Sequence, residues 1–201
     1  MRKIGGPAVF ARGPRKGDDA VFYVMLADGF EETEAIVPLD LLRRAGIDAK
    51  TVGVTGQVVT GSHGVCVRAD LLPEQADPVG CEGVFLPGGM PGMENLFASG
   101  YVCDAVRVCA EAGVPVAAIC AAPSVLGRLG LLQGKEAVCY PGFERELIGR
   151  VPSTRFVCTD GNVITAQGAG CVFPFSHALI TALKDGEAAD RVMRDIRYAD
   201  L

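Results

Sequence analysis

The fold of this chain is decided by residues 114–126, which read VPVAAICAAPSVL. The first half of this stretch is a continuous apolar run, which is typical of a strand buried on both faces of a parallel sheet. In the second half, Pro123 stands where a helix can begin without losing a hydrogen bond, and apolar residues follow it at helical spacing. The stretch therefore predicts a buried strand that turns directly into a helix, with Cys120 at the junction.

Cys120 is the first candidate functional residue. A side chain at a strand-to-helix turn projects from the carboxyl edge of the sheet, where open α/β folds keep their sites. The N–H groups at the start of the helix favour an anion, so we expect the Cys120 thiol to ionise more easily than a free thiol. The alternative is a buried structural cysteine, because free cysteine is among the most buried residue types.

Composition limits the class of protein. The chain has 201 residues, 49% of them hydrophobic, which suits one globular α/β domain. Its longest apolar runs are too short to span a membrane, and a net charge of -5 gives no support for nucleic acid as the main partner. Residues 1–19 are basic and glycine-rich, which predicts a flexible extension ahead of a single domain covering residues 20–201.

The cysteines and histidines restrict the chemistry. No C-x-x-C pair and no histidines at zinc spacing occur, so we expect no metal site. No secretory signal precedes the cysteines, which favours free thiols in the cytoplasm. Only two histidines are present, His63 and His177. The eight cysteines are Cys66, Cys81, Cys103, Cys109, Cys120, Cys139, Cys158 and Cys171.

Other elements follow from the apolar pattern. Strands are predicted at 20–27, 49–54, 83–86 and 137–140. Helices are predicted at 101–112, 171–183 and 188–198, and another runs through 36–45 with the acidic residues 31–34 in its first turn. Residues 58–69 predict an edge excursion, and Asp160-Gly161 predicts a hairpin between residues 156–159 and 162–165.

Two loops require a choice between a structural and a functional interpretation. Glu31, Glu32 and Glu34 stand in the first turn of a helix, where acids favour the helix dipole without any further role. Residues 87–92 read PGGMPG, which predicts either a tight turn or a loop whose N–H groups face one point. Gly168-Ala169-Gly170 lacks the third glycine of a dinucleotide fingerprint, so we expect no nicotinamide or flavin and no other cofactor.

Five motifs then occur together, in order, across most of the chain: LADGFEETE (26–34), LRRAG (42–46), LPGGMPG (86–92), AICAAP (118–123) and GAG (168–170). In this combination the sequence resembles the Parkinsonism-associated deglycase (DJ-1-type) family of the ThiJ/PfpI superfamily. The resemblance implies a flavodoxin-like three-layer sandwich with a mainly parallel sheet, similar to class I glutamine amidotransferases, and a homodimer.

The resemblance also implies a site. Cys120 matches the reactive cysteine, Glu34 its partner carboxyl, and the N–H groups of Gly89 and Ala121 an anion site beside the sulfur. A thiolate and a carboxylate in one desolvated pocket cannot both ionise cheaply, so the pKa of one must rise. We expect Glu34 to stay protonated if the helix stabilises the thiolate. Further candidate pocket residues are Gly88, Tyr140 and His63.

Two departures from the superfamily weigh against a hydrolytic triad. Ala121 follows the cysteine where amidase-like branches carry a histidine, and Tyr140 stands where human-type members carry one. His63 takes the place of an arginine that approaches the partner subunit's pocket in relatives, although a plain loop histidine is the alternative. His177 falls within an apolar helical pattern, which favours a structural role.

The function implied is a cofactor-independent glyoxalase or deglycase that acts on methylglyoxal-type α-oxoaldehydes or glycated substrates. The alternative is an oxidative-stress redox sensor or chaperone that works through oxidation of Cys120. Thiazole-phosphate biosynthesis lacks a phosphate-binding motif here, and amidotransfer lacks a triad histidine.

Overall fold

The computed structural model describes residues 20–198, so the predicted extension at residues 1–19 lies outside the described part. Within that part, the chain forms ten strands and six α-helices. In chain order the elements are β1 (Phe22–Leu26), α1 (Glu32–Arg44), β2 (Ala49–Gly53), β3 (Val58–Thr60), β4 (Cys66–Arg68), β5 (Gly83–Leu86), α2 (Gly92–Ala98), α3 (Gly100–Ala112), β6 (Val116–Ile119), α4 (Pro123–Arg128), β7 (Glu136–Ala137), β8 (Val151–Pro152), β9 (Val157–Asp160), β10 (Val163–Ala166), α5 (Val172–Leu183) and α6 (Gly186–Asp195).

The main sheet has the strand order β2-β1-β5-β6-β10-β9. All neighbours are parallel except β9 and β10, which pair antiparallel as the predicted hairpin. Strands β1, β5 and β6 are buried along their whole length, which explains their continuous apolar sequences. The mainly parallel sheet with helices on both sides confirms the flavodoxin-like prediction.

Each face of the sheet packs its own hydrophobic core, because successive side chains of a strand point to opposite faces. Val24 and Leu26 pack with helices α1, α5 and α6, whereas Tyr23 and Met25 pack with α2, α3 and α4. Among the described residues, no helix is long and apolar enough to cross a membrane.

Several predicted bounds differ from the structure, and for two of them the hydrogen bonds show why. The strand predicted at 137–140 ends at Ala137, because the Val138 N–H donates to the Thr165 hydroxyl at 3.0 Å and the Tyr140 N–H to the Cys120 carbonyl at 2.8 Å. The last helix begins at Gly186, since the Asp185 carboxylate caps it by accepting from the Ala188 N–H at 2.7 Å. The excursion at 58–69 is a separate two-stranded hairpin, β3–β4.

The carboxyl ends of β1, β5 and β6 lie side by side at one edge of the sheet, and the loops that follow them meet there. The Glu31 N–H donates to the Gly88 carbonyl at 2.9 Å, which joins the loop after β1 to the loop after β5. The Gly92 N–H donates to the Gly29 carbonyl at 3.2 Å. This edge therefore brings the sequence motifs together.

Candidate active site

Cys120 stands at the sharp turn between β6 and α4, as predicted. Its φ of 63° lies in the left-handed region, which is uncommon for a residue other than glycine. Hydrogen bonds hold this backbone on both sides: the Cys120 N–H donates to the Ala166 carbonyl at 2.9 Å, and its carbonyl accepts from the Tyr140 N–H at 2.8 Å. The strained turn is thus fixed by its neighbours, which directs the half-buried side chain to the sheet edge.

Glu34 lies in the first turn of α1 and is 1% exposed. The Glu31 carboxylate accepts from the Glu34 N–H at 2.6 Å and so caps the helix. The Glu34 Oε2 atom accepts from the Gly88 N–H at 3.1 Å. Capping and that hydrogen bond orient the Glu34 carboxyl into the pocket rather than towards solvent.

Gly88 is where the glutamate, the cysteine and the β5 loop converge. A Cβ atom built on Gly88 would lie 2.5 Å from the Cys120 Cβ and 2.9 Å from the Ile119 carbonyl oxygen, and would overlap Glu34 Oε2. Only glycine fits between these groups.

Gly168 closes the other side of the pocket. A Cβ atom there would lie 3.8 Å from Glu34 Oε1 and 3.3 Å from Tyr140 Cδ2. The exposed Tyr140 ring therefore lies against Gly168.

Burial raises the pKa of Glu34 to about 7. The negative charge of Glu31 raises this pKa further. The Cys120 side chain and the N–H groups of Gly88 and Ala169 lower it. A carboxyl with such a pKa can both accept and return a proton near neutral pH, as general acid–base chemistry requires.

The Cys120 thiol differs from the prediction that it ionises more easily than a free thiol. Burial and the adjacent Glu34 carboxyl raise its pKa to about 12, although the N–H groups of Ala121 and Gly89 act in the opposite direction. Desolvation and a like charge outweigh the helix N-terminus here. Between pH 7 and 12 the Cys120–Glu34 pair therefore holds a single proton, so a base stands next to the sulfur.

His63 lies on the β3–β4 turn, and its side chain is 72% exposed. Its Nδ1 atom lies 2.8 Å from Glu32 Oε2, and its N–H donates to Glu32 Oε1 at 2.7 Å. Burial opposes ionisation of Glu32, yet these bonds hold its pKa at about 2, and Glu32 in turn raises the pKa of His63. Among the contacts of residues 20–198, none joins His63 to Cys120 or Glu34.

One group of side chains has the composition of a metal site. Single ligand atoms of Glu31, Glu32 and His63 all lie within 4.8 Å of one another. Glu31 already caps α1, and Glu32 is already paired with His63, so hydrogen bonds account for all three.

His177 pairs with Asp190 across α5 and α6, with Nε2 and Oδ1 2.8 Å apart. This pair is structural, although it is partly exposed rather than enclosed in the core. The described contacts supply no histidine beside Cys120.

Ala169 was missed from the sequence as a member of the site, although the GAG motif contains it. Its N–H lowers the pKa of Glu34, and a backbone donor leaves no signal in the residue type.

Comparison with known proteins agrees with this architecture. The model of the DJ-1/PfpI family matches residues 21–182. Protein dj-1beta of Drosophila melanogaster is 34% identical over 179 residues, which cover 88% of this chain and 96% of that protein. Deglycase PfpI of Pyrococcus furiosus is 29% identical over 160 residues, covering 79% of this chain and 96% of that protein. The structure of oxidized DJ-1 from Toxoplasma gondii superposes with a TM-score of 0.86 at 33% identity, over 90% of this chain and 100% of that one. This chain belongs to the DJ-1/PfpI family.

Proposed function

We propose that this protein is a cofactor-independent glyoxalase or deglycase that acts on α-oxoaldehydes such as methylglyoxal, or on their early adducts with amines and thiols. The observation that carries the proposal is the Cys120–Glu34 pair, a nucleophile and a base that share one proton in a largely buried pocket. The name of the Pyrococcus furiosus relative, a deglycase, supports the same chemistry.

In the first step, the Cys120 sulfur adds to the aldehyde carbon while the Glu34 carboxylate takes the thiol proton. A C–S bond forms, the carbonyl π bond breaks, and negative charge develops on the former carbonyl oxygen. We expect the N–H groups of Gly89 and Ala121, which act on the sulfur, to stabilise that oxygen as well. Glu34 then returns the proton to it, which gives a hemithioacetal.

In the second step, Glu34 removes the proton from the carbon bonded to sulfur and delivers it to the neighbouring carbon, formerly the ketone. Loss of the first proton leaves an enediolate, with the negative charge on the former ketone oxygen. The hydroxyl proton then passes to that oxygen as the other carbon takes up its proton from Glu34, so that the carbonyl reforms beside sulfur as a thioester of a 2-hydroxy acid. Water then attacks the thioester, the C–S bond breaks, and the hydroxy acid leaves while the sulfur regains its proton. The steps need no electrons from outside.

The test is hydroxy-acid formation from methylglyoxal without glutathione, in a buffer free of amines and thiols. Wild-type protein is expected to give many product molecules per chain, and Cys120→Ser none above background. Cys66→Ser is the matched control, because Cys66 is an exposed thiol outside the pocket and its loss should leave turnover intact. Aldehyde loss that stops at one molecule per thiol, or that is equal in wild type and Cys120→Ser, would refute the proposal.

The second candidate function is a redox sensor or chaperone controlled by oxidation of Cys120. Its support is the raised pKa of Glu34, since a protonated carboxyl can donate a hydrogen bond to a sulfinate on the adjacent sulfur. The Toxoplasma gondii relative is described as oxidized. Oxidation of Cys120 by peroxide in a protein without methylglyoxal turnover would favour this function over the enzyme.

We further propose that the protein is a cytoplasmic homodimer. All eight cysteines are free, which suits a reducing compartment. Exposed aliphatic side chains, Ile36 on α1 and Val58 and Val65 on the β3–β4 hairpin, give this side of the molecule an apolar surface suited to a second copy.

A further inference from the structure

Two thiols that take no part in the candidate active site lie in contact with each other. The Sγ atoms of Cys81 and Cys109 are 3.3 Å apart, although the residues are 28 positions apart in sequence. Both belong to the core between the sheet and helices α2, α3 and α4, and they are 5% and 0% exposed. Each is a free cysteine.

This thiol pair is separate from the Cys120 pocket. Cys81 precedes β5, whereas Gly88 and Gly89 follow that strand at its carboxyl end. The length of β5 therefore lies between the two sulfur sites. Cys109 stands in the last turn of α3, which ends with Gly113 in the left-handed conformation.

Only a small movement of the two sulfur atoms separates the present contact from a disulfide bond. The two sulfur atoms are about 1.3 Å farther apart than in a disulfide. Cys81 lies in the connection before β5, whose pairing with β1 begins at Gly83, so Cys81 itself is not part of the sheet ladder. The neighbouring Glu82 N–H donates to the Val21 carbonyl at 2.9 Å. Asp77 shapes this connection by accepting from the Val79 N–H at 2.9 Å.

The two thiols differ in access to small molecules. Cys81 lines a surface cavity of about 210 Å³ together with Tyr23 and Asp77. Cys109 does not line this cavity and is completely buried. A small oxidant that enters the cavity therefore reaches Cys81 first.

The thiols also differ in acidity, and the more accessible thiol is also the more acidic one. The hydrogen bond from the Cys109 thiol lowers the pKa of Cys81, although burial opposes this effect. The pKa of Cys109 is raised, by its bond to Cys81 and then by burial. The thiolate that reacts fastest with an oxidant is thus the one at the cavity.

We propose that Cys81 and Cys109 form a second redox site, at which a small hydroperoxide converts the two thiols into a disulfide. The Cys81 thiolate attacks the terminal oxygen of the hydroperoxide, the O–O bond breaks, and an alcohol or water leaves after protonation. Cys81 becomes a sulfenic acid, a two-electron oxidation. The Cys109 sulfur then attacks the Cys81 sulfur and the S–O bond breaks, so that hydroxide leaves as water with the Cys109 proton.

The resulting bond would tie the connection before β5 to helix α3. It is reversible, because a reducing dithiol restores both cysteines by thiol–disulfide exchange. This site does not depend on the proposed enzymatic activity, since it uses neither Cys120 nor Glu34. It gives the chain a response to peroxide that is distinct from oxidation of Cys120.

Peptide mapping of the full-length protein tests the proposal directly. Trypsin together with an enzyme that cuts after glutamate places four thiols on four peptides: 75–82 with Cys81, 95–107 with Cys103, 108–111 with Cys109 and 112–128 with Cys120. The folded wild-type protein is treated with hydrogen peroxide at a few equivalents, its remaining thiols are alkylated after denaturation, and the peptides are analysed by mass spectrometry. We expect peptide 75–82 to be linked to peptide 108–111, with a mass two hydrogen atoms below the sum of the two peptides. A reducing dithiol should separate the two peptides again.

Three variants assign the steps. Cys81→Ala should abolish the link. Cys109→Ser keeps a hydrogen-bond donor beside Cys81 but removes the second sulfur, so it should leave Cys81 as a sulfenic acid that dimedone traps. Cys103→Ala is the matched control on the same helix, and it should leave the link unchanged. The proposal is overturned if Cys81 and Cys109 stay fully alkylatable in wild type at a peroxide dose that oxidises Cys120. It is also overturned if Cys81 links mainly to Cys103 or to another chain.

Discussion

Replacing Glu34 by glutamine should stabilise the folded protein above neutral pH while it removes the proposed catalytic base. The pKa of Glu34 rises from its ordinary value of 4.5 to about 7 on folding. The folded protein thus holds this proton more tightly than the unfolded chain, so stability falls as the pH rises from 4.5 to 7 and is level above that range. The cost at pH 8 is about 3 kcal/mol, because each tenfold difference in proton affinity is worth about 1.4 kcal/mol.

The assay is urea unfolding of wild type and Glu34→Gln at several pH values between 4.5 and 8.5. The difference between their free energies of unfolding should grow by about 3 kcal/mol over this range in favour of the glutamine variant. An effect of the glutamine amide on stability that is the same at every pH does not change how this difference varies with pH. Glu111→Gln, which removes an exposed carboxyl from α3, is the control. The pH dependence of its free energy of unfolding should be the same as that of wild type. Parallel curves for wild type and Glu34→Gln would refute the burial argument.

The same variant tests the mechanism. Wild-type kcat/KM for methylglyoxal should rise about tenfold per pH unit below pH 7 and then level, as the Cys120–Glu34 pair loses its first proton. Glu34→Gln should lose this rise together with about 10²- to 10⁴-fold in rate. Unchanged turnover would remove Glu34 from the mechanism.

Two further predictions concern the pocket wall and the assembly. Tyr140→Ala should raise the KM for methylglyoxal about fivefold with little change in kcat, because the ring against Gly168 contacts the substrate but takes no part in the chemistry. Tyr140→Phe should behave as wild type, and a fall in kcat at constant KM would contradict this role. Sedimentation analysis should find wild type dimeric and Val65→Glu monomeric, since a charge would enter the apolar surface of the hairpin; a monomeric wild type would contradict the dimer.

Features set by local sequence could be predicted. The apolar run before Cys120 and the proline after it determine a strand, a turn and a helix through backbone sterics and burial, and all three were confirmed. The glycine-rich loop after β5 could be predicted for the same reason, because few other residues tolerate such close backbone approach.

Features set by distant neighbours could not be predicted. Residues 138–140 have the composition of a strand, but their N–H groups bond to Thr165 and Cys120 instead of a ladder. The pKa of Cys120 depends on how deeply the sulfur is buried beside Glu34, a balance that no sequence pattern contains. The contact between Cys81 and Cys109 likewise arises only when α3 packs on the sheet.

The three glutamates at the start of α1 show where the functional signal lies. A carboxylate that serves only the helix dipole should be stabilised as an anion, so its pKa should fall. Glu31 caps the helix, and Glu32 has a pKa of about 2 in its pairing with His63, which fits stabilising roles. Glu34 behaves in the opposite way, since its pKa rises to about 7 in a buried position. Above neutral pH its buried negative charge lowers the stability of the folded protein, and Glu31 already supplies the cap that the start of the helix needs. We therefore propose that this glutamate serves the proton exchange with Cys120, whereas the other two serve the structure.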